Sequence, residues 1–225
     1  MIKIDLKAAK LPLILYGAIF IAYLSLLLFY PRAMTFAETR FETYKSYFFY
    51  WSDFICPLAA VFCIILQLGN TLEKKSFEFL CSLPERTGII ERWLFTLFAL
   101  ILPVYLAGVF ACRFAAAGEP FAFWELLYLT GANLAFYSTL SLLMMIIFKQ
   151  AFYVFSITCG LMFADLAAGE YFLFEYSAFL NISCRTPMET VEVNRRIYYA
   201  ASLAMLVISF IFVKTGLLKR SNKLR

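Results

Sequence analysis

The chain reads as an all-α membrane protein, a single domain over residues 1–225 with six transmembrane helices. Three observations carry that reading. Hydrophobic residues make up 63% of the chain and charged ones only 16%, where a soluble domain carries about 25% charged residues. The apolar residues collect into six runs long enough, at about 1.5 Å per residue, to approach the roughly 30 Å hydrocarbon layer. The charges collect between those runs.

Met1–Lys10 sets Ile2, Ile4 and Leu6 among Lys3, Lys7 and Lys10, a basic amphipathic segment suited to lie at a bilayer surface. The first span, residues 11–30, is uncharged and ends at Pro31-Arg32. Its length exceeds the 7–15 apolar residues of a signal-peptide core, so it is expected to be retained. The second span, 48–68, opens on the aromatic cluster Tyr47 to Trp51, and Pro57 in its first turns is expected to bend it. The third, 93–112, begins at Trp93, read as an interfacial anchor, and contains Pro103. The fourth and fifth, 121–148 and 151–168, are separated only by Lys149-Gln150, which requires antiparallel neighbours. Between 168 and 197 an apolar stretch, Tyr171–Leu180, is too short to cross and predicts a re-entrant or interfacial helix. The sixth span, 197–213, precedes a basic tail.

With a cytoplasmic N-terminus, thirteen Lys and Arg fall on the inside and seven on the outside. The sequence therefore predicts a multi-pass protein of the cell membrane with both termini cytoplasmic. The net charge of +5 is dispersed among short segments and forms no basic face, so no nucleic-acid partner is expected.

The chain contains no His, and its six cysteines are scattered without ligand spacing. Zinc chemistry and His-dependent nucleophilic catalysis are excluded, and no metal or catalytic residue is assigned. None of the nine glycines opens a G-x-x-x-x-G-K-[ST] loop, so the chain is not expected to be an enzyme or to bind a cofactor. The acids within spans are Asp53, Glu125 and Asp165, all near the ends on one side of the predicted topology. One reading has each reach interfacial water and pair with Arg113 or a loop cation. The other makes them an acidic vestibule on a substrate path. Their place at the rim argues against a mid-membrane aspartyl protease. Gly160, Ala164 and Ala168 repeat every four residues on the fifth span, as Ala107, Ala111 and Ala115 do on the third, a pattern that lets helices approach closely within a subunit or between subunits.

The long polar interruption runs from Asn70 to Trp93 and holds eight charged residues. Phe77, Leu80, Cys81 and Pro84 recur at three- and four-residue spacing, so a helix here shows an apolar stripe ringed by charge. Glu73-Lys74-Lys75-Ser76-Phe77-Glu78-Phe79-Leu80-Cys81-Ser82-Leu83-Pro84, followed by Arg86 and Ile89-Ile90, resembles the first cytoplasmic loop of ABC type-2 permeases. Glu78, Phe79, Leu80, Ser82, Pro84 and Arg86 match, while Glu85 departs from the Val, Ile or Ser commoner there. The resemblance implies a coupling helix between the second and third spans that docks a cytoplasmic ABC ATPase through Glu73, Phe77, Glu78, Leu80, Leu83, Pro84 and Arg86. ATP and Mg2+ would bind on that partner. It also implies an N-terminal elbow helix, an external helix between the last two spans, and a second permease subunit meeting the fifth span at Gly160, Ala164 and Ala168. The function so implied is the permease half of an ATP-driven exporter moving a hydrophobic or amphipathic substrate, with cationic peptides and drug-like molecules as candidates. The alternatives are an amphipathic surface helix in place of the coupling helix, and a non-transporting immunity or sensor protein that binds a hydrophobic peptide.

Overall fold

The computed structural model describes residues 14, 17–18, 21–22, 50–72, 88–115, 123–168, 176–179 and 188–215. Apart from Lys149-Gln150 and the turn at 176–179 these residues are helical, and no strand occurs among them. We label the helices α1 (Cys56–Leu72), α2 (Gly88–Phe95), α3 (Leu102–Ala115), α4 (Phe123–Phe148), α5 (Ala151–Ala168) and α6 (Met188–Thr215). Among the described residues four stretches are long and apolar enough to cross a membrane: Ser52–Gly69, Gly88–Phe110, Leu127–Phe148 and Glu189–Thr215. Ala151–Ala167 is a shorter apolar helix. By length and composition this is a membrane protein. The expected elbow segment lies outside the described residues, as do the core of the coupling segment, the apolar stretch 171–175 and most of the first span. Of that first span, Ile14, Gly17, Ala18, Ile21 and Ala22 are helical.

α4 is the hub, with α6 and α1 packed most extensively along it. It is apolar on every side, and Leu129, Leu134, Tyr137, Leu142 and Met145 are buried along its length, as expected of a helix enclosed by others. α1 runs parallel to α4, since Asn133, ten residues into α4, bonds Asp53 just before α1, while Gly69 near the end of α1 faces Met145 near the end of α4. The α2–α3 segment runs the other way. Trp93 donates to the Ser138 carbonyl at 3.1 Å and Tyr105 bonds Thr130. Trp93 is thus not the interfacial anchor the sequence predicts: it is 3% exposed, its indole N–H satisfied inside the bundle.

Both described prolines follow a π-helical turn. Tyr50–Ile55 precedes Pro57 and Thr96–Ile101 precedes Pro103. A proline lacks the N–H that its i−4 carbonyl would accept and its ring crowds that carbonyl, so the ladder widens: the Leu102 N–H bonds Leu97 O, five residues back. The expected bend at Pro57 takes this form.

The fourth and fifth spans are joined as the sequence requires. Lys149 takes a left-handed φ of 58° and its N–H caps Met145 O at 3.0 Å, closing α4 as a C-terminal cap residue does. The third and sixth spans differ from expectation. Helix begins at Gly88, five residues before Trp93, because Ile89 and Ile90 bury against the core. The sixth begins at Met188, nine residues before Ile197.

Candidate functional site

Buried polar side chains gather at one end of the bundle, around the short turn Tyr176–Phe179. The long α6 makes this possible. Its buried positions Val191, Asn194, Arg195, Tyr198 and Ser202 follow the three- and four-residue spacing of one helix face, so the stripe that packs on α4 continues backward into polar sequence. Arg195, expected in a loop, is thereby carried into the interior at 0% exposure.

Arg195 pairs there with Asp53, Nη2 to Oδ2 at 3.2 Å, both side chains fully enclosed. A buried charge is tolerated only with a close counter-charge and further hydrogen bonds, and these are present. Arg195 Nη1 donates to Asn133 Oδ1 at 2.7 Å and to the Ala178 carbonyl at 3.0 Å. Because Arg offers donors only, the Asn133 oxygen must face it and the Asn133 nitrogen must face away. That nitrogen donates to Ala178 O at 2.7 Å and to the Asp53 carbonyl at 3.4 Å. Asp53 lies four residues before Pro57, so its carbonyl lacks the ordinary helical donor. The proline that interrupts the helix thus exposes the acceptor that Asn133 uses.

The turn is held by its main chain. Tyr198 Oη donates to Tyr176 O at 2.9 Å, Asn194 Nδ2 to Ser177 O at 3.0 Å, and Ala178 N donates to Asp165 Oδ2 at 2.8 Å. Ser177 Oγ accepts the Phe179 N–H at 3.1 Å within the turn itself. Asp165 Oδ1, also buried, has no hydrogen-bond partner. Non-helical backbone buried in such a bundle is stable only when its polar groups find partners in the protein, and side chains from α4, α5 and α6 supply them. Beside the turn opens a cavity of about 240 Å³, lined by Tyr176, Glu189, Thr190, Val193, Asn194 and Ile197.

The structure therefore unites two of the three acids picked from the sequence and separates the third. Asp53 and Asp165 both reach the Ala178 cluster, at 0% exposure, so neither is in contact with interfacial water. Asp53 finds Arg195 as its counter-charge. Glu125 is exposed in the first turn of α4 and takes no part. Gly160 and Ala164 lie on an exposed face of α5, and a side chain at Gly160 would meet nothing within 4 Å. Ala168 is helical, and its side chain is outside the described set, as are Glu73, Phe77, Glu78, Leu80, Leu83, Pro84 and Arg86. Among the described residues no group of three or more potential metal ligands occurs.

Sequence reasoning passed over Asn133, Ser177, Asn194, Arg195 and Tyr198. Two signals for them were present. Asn133 sits deep in a span whose one charge, Glu125, is eight residues away, and Asn194, Arg195 and Tyr198 are in helical register with Ser202 of the sixth span. No family profile, no curated protein and no solved structure matches this chain.

Proposed function

We propose that this chain is the permease subunit of an ATP-driven exporter, with six spans, both termini cytoplasmic, and one cytoplasmic ATPase docked on the segment Glu73–Arg86 of each of two permease subunits. The observation that carries the reading is the Glu78-Phe79-Leu80…Pro84…Arg86 pattern set between two helices of a membrane bundle. The arrangement of those helices supports it. α1 runs parallel to α4 and α2–α3 antiparallel, so Leu72 and Gly88, which bracket the pattern, both belong to the end of the bundle opposite the Ala178 cluster.

Phe77 and Leu80 act as apolar anchors in the ATPase, Glu78 makes a charge-assisted contact, and Pro84 ends the helix. Closure of the ATPase pair pulls the coupling segments together and switches the spans between two packings. The exposed stripe of Gly160 and Ala164 on α5 supplies the face on which the second subunit packs. The test replaces Phe77 and Leu80 together by Asp and recovers the tagged chain from solubilised membranes. Recovery of a P-loop ATPase with the unaltered chain and its loss with the variant is the result expected. Equal recovery with both would remove the docking role.

A further inference from the structure

The side chains around Ala178 hold the turn chiefly by its main chain. Three successive carbonyls, of Tyr176, Ser177 and Ala178, accept from Tyr198, Asn194, and Asn133 with Arg195, and the Ala178 N–H donates to Asp165. Every bond in this set runs from a helix side chain to the turn's main chain. Of the turn's two hydroxyls, that of Ser177 accepts the Phe179 N–H within the turn and also meets the Asp165 carboxyl, and that of Tyr176 belongs to an exposed side chain. A set of donors for carbonyls with an acceptor for an N–H is what any peptide backbone satisfies, whatever its side chains. Asp165 Oδ1, buried and without a partner, leaves one more acceptor at the same place. The cavity beside Tyr176 and Asn194 gives an entering chain room next to the turn.

We infer that the cluster formed by Asn133, Asp165, Asn194, Arg195 and Tyr198 is a binding site for a peptide main chain, occupied in this structure by the protein's own turn. The inference rests on the exporter reading in one respect, that the peptide which replaces the turn is the substrate moved. The turn is tethered, and tethering gives it an effective concentration of order millimolar, so a free peptide competes poorly until the turn is released. Recognition through the backbone makes the site tolerant of peptide sequence. It distinguishes peptides from apolar molecules lacking an amide.

Ala178→Pro tests this, because it removes the N–H that Asp165 accepts and leaves every receiving side chain in place. The full chain in lipid nanodiscs is assayed by equilibrium dialysis against radiolabelled N-acetyl-trialanine methylamide and against the analogue with one amide replaced by an ester. The variant is expected to bind the amide about tenfold more tightly than the unaltered chain. It should bind the ester about tenfold less tightly than the amide, and adding Asp165→Ala should abolish that preference. Binding no tighter than the unaltered chain, or equal binding of amide and ester, overturns the site. Should Ala178→Pro not fold, Ser177→Cys is introduced with the six native cysteines replaced by Ala. Its labelling by a membrane-impermeant maleimide is expected to quicken when the amide peptide is added and not when the ester is. A rate unmoved by either would overturn the site as well. Neither assay contains an ATPase, so a negative outcome removes the peptide site alone. Loss of ATPase docking with peptide binding intact would remove the exporter reading alone.

Discussion

The two ends of the bundle are held by different physics. Around Ala178, cohesion comes from a buried ion pair and hydrogen bonds converging from three helices on one turn. At the opposite end Ile64, Leu68, Met145, Ile146 and Val154 are buried with the amide of Gln67 beside Leu68, Gly69 lies against Ala151 and Met145, and the named contacts are mostly apolar. Dispersion contacts are numerous and individually weak, so an apolar end adjusts to a lost atom by small shifts. A converging polar cluster has no such tolerance, since removing one member leaves the others buried without partners.

The sharpest way to break this contrast is at Arg195. Arg195→Met leaves the Asp53 carboxylate enclosed without its counter-charge, and a loss of about 3–5 kcal/mol is expected in denaturant unfolding of the detergent-solubilised protein. Adding Asp53→Asn should restore most of that loss, because the uncompensated charge is then gone. If the single and double variants unfold alike, the pair is not what holds this end. At the apolar end Leu68→Ala should cost about 2–3 kcal/mol through the cavity it leaves, and Met145→Leu under about 1.5 kcal/mol, by the same measurement. Gly131 lies two residues before Asn133 on α4, on the side of the cluster away from the apolar end. A Cβ there would stand 2.8 Å from the Tyr199 hydroxyl, which donates to Tyr128 O at 3.0 Å. Gly131→Ala should displace that hydroxyl and cost about 1 kcal/mol, and Tyr199→Phe in the same chain should remove most of the penalty.

How far the sequence revealed these two ends follows from the same contrast. Apolar length pointed to the four described helices long enough to cross a membrane, and the two-residue gap at Lys149-Gln150 to the antiparallel α4–α5 pair, because hydrocarbon thickness and chain connectivity leave few alternatives. Asp53 and Asp165 stood out as ionisable groups among apolar ones. Their partners did not, because Arg195 lies 142 residues from Asp53 in a stretch whose charges resemble those of a loop. Only the helical register with Tyr198 and Ser202 marks it as interior. The start of α6 was misjudged for the same reason. A polar residue ends a span when it must face lipid or water, but not when another helix supplies its partners. Trp93 shows the converse, a side chain at home at an interface that instead buries because Ser138 O accepts its N–H.

The tight link at Lys149-Gln150 has a mechanical consequence. Asn133 and Asp165 stand at similar heights above it, about 22–24 Å along their helices, and both grip Ala178. The joint keeps the near ends of α4 and α5 together, while α4 packs most extensively on α6, the helix that carries Arg195. A tilt of α5 by about 10° about that joint would carry Asp165 some 4 Å (roughly its height times the sine of the tilt), beyond hydrogen-bond reach of Ala178. A modest rotation of one helix near the joint would therefore take the Asp165 contact from the turn and leave the contacts of the packed α4–α6 pair in place.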